Sequence, residues 1–100
     1  MTGYIILREA EEELRDAARF YDSRATGLGL DFISEVEKAI QSVKDAPESW
    51  PIIEGKVRRR LLSRFPFGIL YYIDENQVII VAIAHLRRKP GYWRRRLKKD

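Results

Sequence analysis

Phe67-Gly68-Ile69-Leu70-Tyr71-Tyr72-Ile73, then Asp74-Glu75-Asn76, then Gln77-Val78-Ile79-Ile80-Val81-Ala82-Ile83-Ala84: two apolar stretches with a polar turn between them. In an extended chain successive side chains point to opposite faces. Phe67 to Ile73 is apolar and aromatic on both faces. In the return stretch, alternation puts Val78, Ile80, Ala82 and Ala84 on one side and Ile79, Val81 and Ile83 on the other. Each stretch is short and apolar throughout, which predicts strands buried on both sides. The polar turn makes them a hairpin. The hairpin is therefore central, and the rest of the chain must supply its covers.

Upstream, Val57 to Phe65 alternates. Val57, Leu61 and Phe65 face one way with Arg59 and Ser63, while Arg58, Arg60 and Arg64 face the other with Leu62. That pattern predicts a half-exposed strand with a basic outer face. Residues 47–55 hold two prolines and a glycine, so regular structure is not expected there. Before them the period changes. Leu28, Phe32, Val36, Ile40 and Val43 form a helical stripe flanked by Ile33 and Ala39, and Pro47 closes it. Ala10, Leu14, Ala17, Ala18 and Tyr21 form another. Glu9, Glu11, Glu12 and Glu13 crowd its start, where negative charge suits the helix dipole. Thr26-Gly27 separates the two, giving an antiparallel helical hairpin. Tyr4 to Leu7 reads as a short strand. The expected fold is α+β: an N-terminal strand and a helical hairpin packed on a small antiparallel sheet, one domain over residues 1–100.

The 100 residues are 45% hydrophobic, enough for a buried core, and include no cysteine and a single histidine, His85. Disulfide scaffolds and thiolate zinc sites are excluded, and neither a metal nor a cofactor is expected. The first residues lack the basic start and long apolar run of a signal peptide. No stretch approaches a membrane span, so the expected location is cytoplasmic. The net charge of +4 is unevenly spread. Residues 1–55 carry 6 basic and 12 acidic side chains, residues 56–100 carry 13 and 3. Such a split points to a basic surface for an anionic partner.

The usual enzyme signatures are missing: no GxSxG, no phosphate-cradling glycine loop, no HExxH. The helical acids read as solvated surface. His85 ends a strand beside Arg87 and Arg88. It suits proton exchange near bound phosphate; equally, it suits hydrogen bonds that lock the tail. Tyr92 and Trp93 lie between arginine clusters, with Arg94 and Arg95 following. They suit stacking on bases, or packing as a lid on the core edge. Arg58, Arg60 and Arg64 form a candidate stripe for an anionic partner, or a charged guard against edge aggregation.

Val57-Arg58-Arg59, Phe65-Pro66-Phe67-Gly68-Ile69-Leu70-Tyr71-Tyr72, Val81-Ala82-Ile83-Ala84-His85, Arg88-Lys89-Pro90 and Tyr92-Trp93 together resemble the RelE/ParE superfamily of toxins, in its ParE-like, plasmid-stabilisation branch. Ala17, Tyr21, Gly29 and Phe32 fall where that family has its helical hairpin. The resemblance implies a type II toxin bound by a cognate antitoxin in a hetero-oligomer. It implies one of two targets: DNA gyrase, for ParE-like members, or messenger RNA cut on the ribosome, for RelE-like members. A third reading is a non-toxic relative that only binds nucleic acid or its antitoxin. Cleaving members carry an arginine near position 68, where this chain has Gly68, which favours gyrase. A ribonuclease would need Arg64, Arg87 or Arg88 in its place, His85 or Tyr92 as acid and Glu54 as base. The expected target surface comprises Arg58, Arg60, Arg64, Arg87, Arg88, Tyr92, Trp93, Arg94 and Arg95. An acidic or amphipathic antitoxin segment would lie on that face or pair with a sheet edge.

Overall fold

A computed structural model describes residues 3–97; Lys98 and Lys99, part of the basic tail, lie outside the described residues. In chain order the elements are β1 (Gly3–Ile6), α1 (Arg8–Arg24), α2 (Leu28–Asp45), β2 (Ile52–Glu54), β3 (Val57–Leu61), β4 (Phe67–Asp74), β5 (Gln77–His85) and a 3-10 turn at Arg94–Leu97. The expected central hairpin is β4–β5. Its two-residue turn places Glu75 and Asn76 at positive φ, 48° and 65°, the sign that two-residue turns of the I′ kind require.

The sheet has five strands in the order β1-β5-β4-β3-β2. It is mixed, because β1 runs parallel to β5 while every other pair is antiparallel. The expected antiparallel sheet is present in β2 to β5, and β1 joins its edge in parallel. The helical hairpin returns the chain at the far edge, so the outer edge of β5 is the one left for β1. The connector also contains a strand. Ile52 and Ile53 are β-branched, and an edge position tolerates Pro51 and Gly55 on either side.

A third departure concerns β5. Leu70 pairs with Ala82, but Tyr71 pairs with Ile80, so Val81 is an extra residue. A bulge of this kind shifts the side-chain phase by one. Val78, Ile80 and Ile83 share the helical side, while Ile79, Val81, Ala82 and Ala84 share the other. Strict alternation fails from Ala82 onward.

The helices cover one face. Phe32, Val36, Ala39, Ile40 and Val43 of α2 and Ala10, Ala17 and Ala18 of α1 pack on Ile69, Tyr71, Val78, Ile80 and Ile83. At one end Tyr21, Phe32, Phe65 and Phe67 meet edge to face, with ring centroids 4.8–5.1 Å apart for Tyr21–Phe65, Phe32–Phe67 and Phe32–Phe65. The helices touch at Gly29, where a Cβ would lie 2.5 Å from the Ala18 carbonyl oxygen. Asp22 Oδ1 accepts from the N–H groups of Gly27 and Gly29 and caps the start of α2. The opposite face holds Val57, Leu70, Tyr72, Ile79, Val81, Ala82 and Ala84, and the tail covers it through Trp93, with Tyr92 and Leu97 alongside. Trp93 is 4% exposed.

A cationic pocket between the sheet and the C-terminal tail

The tail is fastened by one carboxylate. β1 covers β5 only as far as Ile80. Beyond it the outer edge of β5 presents the Val81 carbonyl and the Ile83 N–H. Ile83 N–H donates to Glu13 Oε1 at 3.0 Å, and Val81 O accepts from Arg96 Nη1 at 3.0 Å. Glu13 and Arg96 are themselves paired, Nη1 to Oε1 at 3.0 Å and Nη2 to Oε2 at 2.9 Å. The Tyr92 hydroxyl donates to Glu13 Oε2 at 2.7 Å. Glu13 and Arg96 side chains are each 15% exposed, so these bonds act largely out of water and are the stronger for it. Burial, then the bond to Glu13 and its charge, push the Tyr92 hydroxyl far above the usual tyrosine range, against the pull of Arg96 and Arg88. Arg88 lies 3.7 Å from the Tyr92 ring centroid and 4.0 Å from Glu13.

Between the tail and the sheet lies a pocket of about 250 Å³. Its apolar floor includes Leu70, Ala84 and Trp93; its rim carries Glu54, Arg59, His85, Arg88, Lys89 and Tyr92. Glu54 is held by Arg94, whose Nη2 donates to Oε1 at 2.8 Å while Nε donates to Oε2. The Arg94 bond, with its charge, holds this carboxyl below the usual carboxylate range despite some desolvation. His85 Nδ1 accepts the Arg87 backbone N–H at 3.0 Å. In a neutral ring the proton then sits on Nε2. The imidazole stands edge-on to Phe67 at 5.0 Å. Arg59 crosses the floor of β4: a Cβ on Gly68 would lie 3.1 Å from Arg59 Cγ and 3.2 Å from Cδ. Glycine at 68 is what leaves room for that stem.

A family model described as ParE toxin of type II toxin-antitoxin system, parDE, matches residues 4–90. The chain belongs to the ParE toxin family. A solved structure titled "Chromosomal ParDE TA system from P. aeruginosa" has a TM-score of 0.76 at 17% identity, over 85% of this chain and 96% of that one. That likeness supports the α+β fold of two helices on a mixed five-stranded sheet. No curated protein matches in sequence. The ParE model stops at Pro90, short of Tyr92, Trp93 and Arg94 to Arg96, so the fastening of the tail is read from this chain alone.

For this ParE toxin, the pocket brings together Glu54, His85, Arg88, Tyr92 and Trp93 of the sequence-derived candidates. Trp93 is there as buried floor, which is the lid reading. His85 makes a local bond to the backbone of Arg87, two residues on in the turn after β5. The basic stripe of β3 is corrected. Arg58 and Arg60 pair across the ladder with Tyr71 and Ile69, the helical side. Arg58 donates to Trp50 O at 2.8 Å, and Arg60 donates to Ser42 Oγ at 3.0 Å and to Leu61 O at 2.6 Å. They tie β3 to the end of α2 and the connector and do not form an open face. Arg64 stands apart on the helical side, 3.7 Å from Asp31. Arg87 and Arg95 are exposed, and Arg94 is spent on Glu54. Two residues escaped the sequence reading. Composition makes Glu13 one of several solvated helical acids, and alternation puts Arg59 on the apolar side of β3 without showing what it meets. The signal for Arg59 was present in Gly68, a hole in an otherwise apolar strand, but its occupant depends on β3–β4 register.

Proposed function

We propose that this toxin is held inactive by a cognate antitoxin and inhibits growth by engaging DNA gyrase, without cutting RNA. The observation that carries the second half is the engagement of the groups a ribonuclease would need. A general base works best with a pKa near ambient pH; Glu54 is clamped by Arg94 and shifted downward. The Tyr92 hydroxyl already donates to Glu13, and its pKa is raised out of reach. His85 Nδ1 is occupied by the Arg87 N–H, so only Nε2 of that ring is left to face the pocket. What remains is a binding surface with a cationic rim. A target that carries DNA places the action in the cytoplasm, and no described helix is long and apolar enough to cross a membrane.

The test is induction of the chain alone in a bacterial host, following DNA breakage and transcript integrity as growth slows. DNA breaks with intact transcripts are expected, and Glu54→Gln and Tyr92→Phe should keep their toxicity. Codon-positioned transcript cleavage that those substitutions abolish would overturn the reading. For the antitoxin half, affinity of the pair should fall as salt rises, because the rim is cationic and exposed; salt-independent binding would count against it.

A further inference from the structure

The pocket has a charge balance that the toxin reading does not use. Arg59 comes from β3, Arg88 and Lys89 from the turn after β5, and all three border one pocket. The acid on that border, Glu54, is already matched by Arg94. Among the described residues Arg59 has no side-chain hydrogen-bond or ion-pair partner, and its stem lies over Gly68. The floor of Leu70, Ala84 and Trp93 is buried and apolar. A cation beside an apolar floor attracts an anion more strongly than one in open water. Cations arriving from two sides suit an anion with more than two acceptor oxygens, which favours phosphate over the planar carboxylate.

We infer that this pocket binds a phosphate group, with Arg59 as its principal ligand. The glycine at 68 lets a neighbouring strand deliver the arginine. This goes beyond the gyrase reading and does not depend on it, since the purified chain alone reports the binding. The phosphate has two sources of the same chemistry: a nucleic-acid backbone or a free phosphate compound.

The experiment is calorimetric titration of the purified chain at physiological ionic strength. The probes are inorganic pyrophosphate, a short oligothymidylate, its uncharged methylphosphonate analogue and an oligoglutamate peptide. Binding of pyrophosphate alone assigns a free phosphate compound, binding of the oligonucleotide alone assigns a backbone, and binding of both shows that the phosphate group itself suffices. In each case Arg59→Gln should weaken it by roughly tenfold, one charge-assisted contact. Arg19→Gln, on the exposed side of α1, should not. Gly68→Ala is the decisive variant, because it keeps every charge but pushes against the Arg59 stem; several-fold weakening is expected. Arg88→Gln, exposed, should also weaken binding and keeps the test open if Arg59→Gln does not fold. The inference fails if neither phosphate probe binds, or if Arg59→Gln and Gly68→Ala leave affinity unchanged. It fails equally if the methylphosphonate strand or oligoglutamate binds as tightly as the phosphate probes.

Discussion

A single side chain, Glu13, joins three parts of the molecule. It receives the Ile83 N–H, the Tyr92 hydroxyl and both Arg96 nitrogens. Removing one partner of a largely buried pair leaves the other charge uncompensated. Glu13→Ala is therefore expected to cost about 3 kcal/mol, read as a lower urea midpoint at unchanged slope. A loss within experimental error would mean that water replaces the carboxylate without penalty. Glu75 invites the opposite change. It holds φ at 48°, a region where asparagine is far more at ease than glutamate. Glu75→Asn should raise thermal stability by roughly 0.5 kcal/mol; a fall would mean the glutamate side chain contributes something the turn geometry does not reveal.

Between elements, Glu35 links α2 to the segment after β3. Its Oε2 accepts from Ser63 N–H at 2.7 Å, from Arg64 N–H at 3.0 Å and from the Ser63 hydroxyl. Partial burial works to raise its pKa, but those bonds and the Arg64 charge outweigh it and hold the carboxyl below the usual range. A depressed folded pKa means stability that is present above the unfolded value of about 4.5 and lost as pH falls through the folded one. The stability gap between wild type and Glu35→Gln should thus be constant near neutrality and narrow below that value; a gap independent of pH would refute the linkage. The helices and the β4–β5 hairpin were legible in the sequence because their apolar spacing is local and uninterrupted. The bulge at Val81 was not, since one extra residue inverts the phase of Ala82 to Ala84 with no change in composition. The parallel pairing of β1 and the sites of Arg59 and Glu13 depend on which strands become neighbours, and adjacent residues carry no trace of that. His85, Arg88 and Tyr92 could be grouped in advance because they are close in the chain. The inward turn of Arg58 and Arg60 could not, since alternation separates two faces without saying which one the helices will cover.

Across the whole molecule, the sheet is sandwiched between a helical layer and a thin irregular one. The thin layer is the tail, and its principal apolar contribution is Trp93. Trp93→Ala is expected to cost about 3–5 kcal/mol and to expose the face formed by Val57, Leu70, Tyr72 and Val81, measurable as increased binding of an apolar dye. An unchanged midpoint would show that the second face does not need its cover. Order of synthesis gives this arrangement a temporal side. The tail is translated after the sheet that it closes. Until it arrives, the nascent chain presents an uncovered apolar face and, past Ile80, a strand edge on which the Val81 carbonyl still lacks Arg96. Both are templates for association with other chains. The interval between translation of β5 and docking of Trp93 is therefore when this protein is most exposed to aggregation, and when a chaperone would find most to hold.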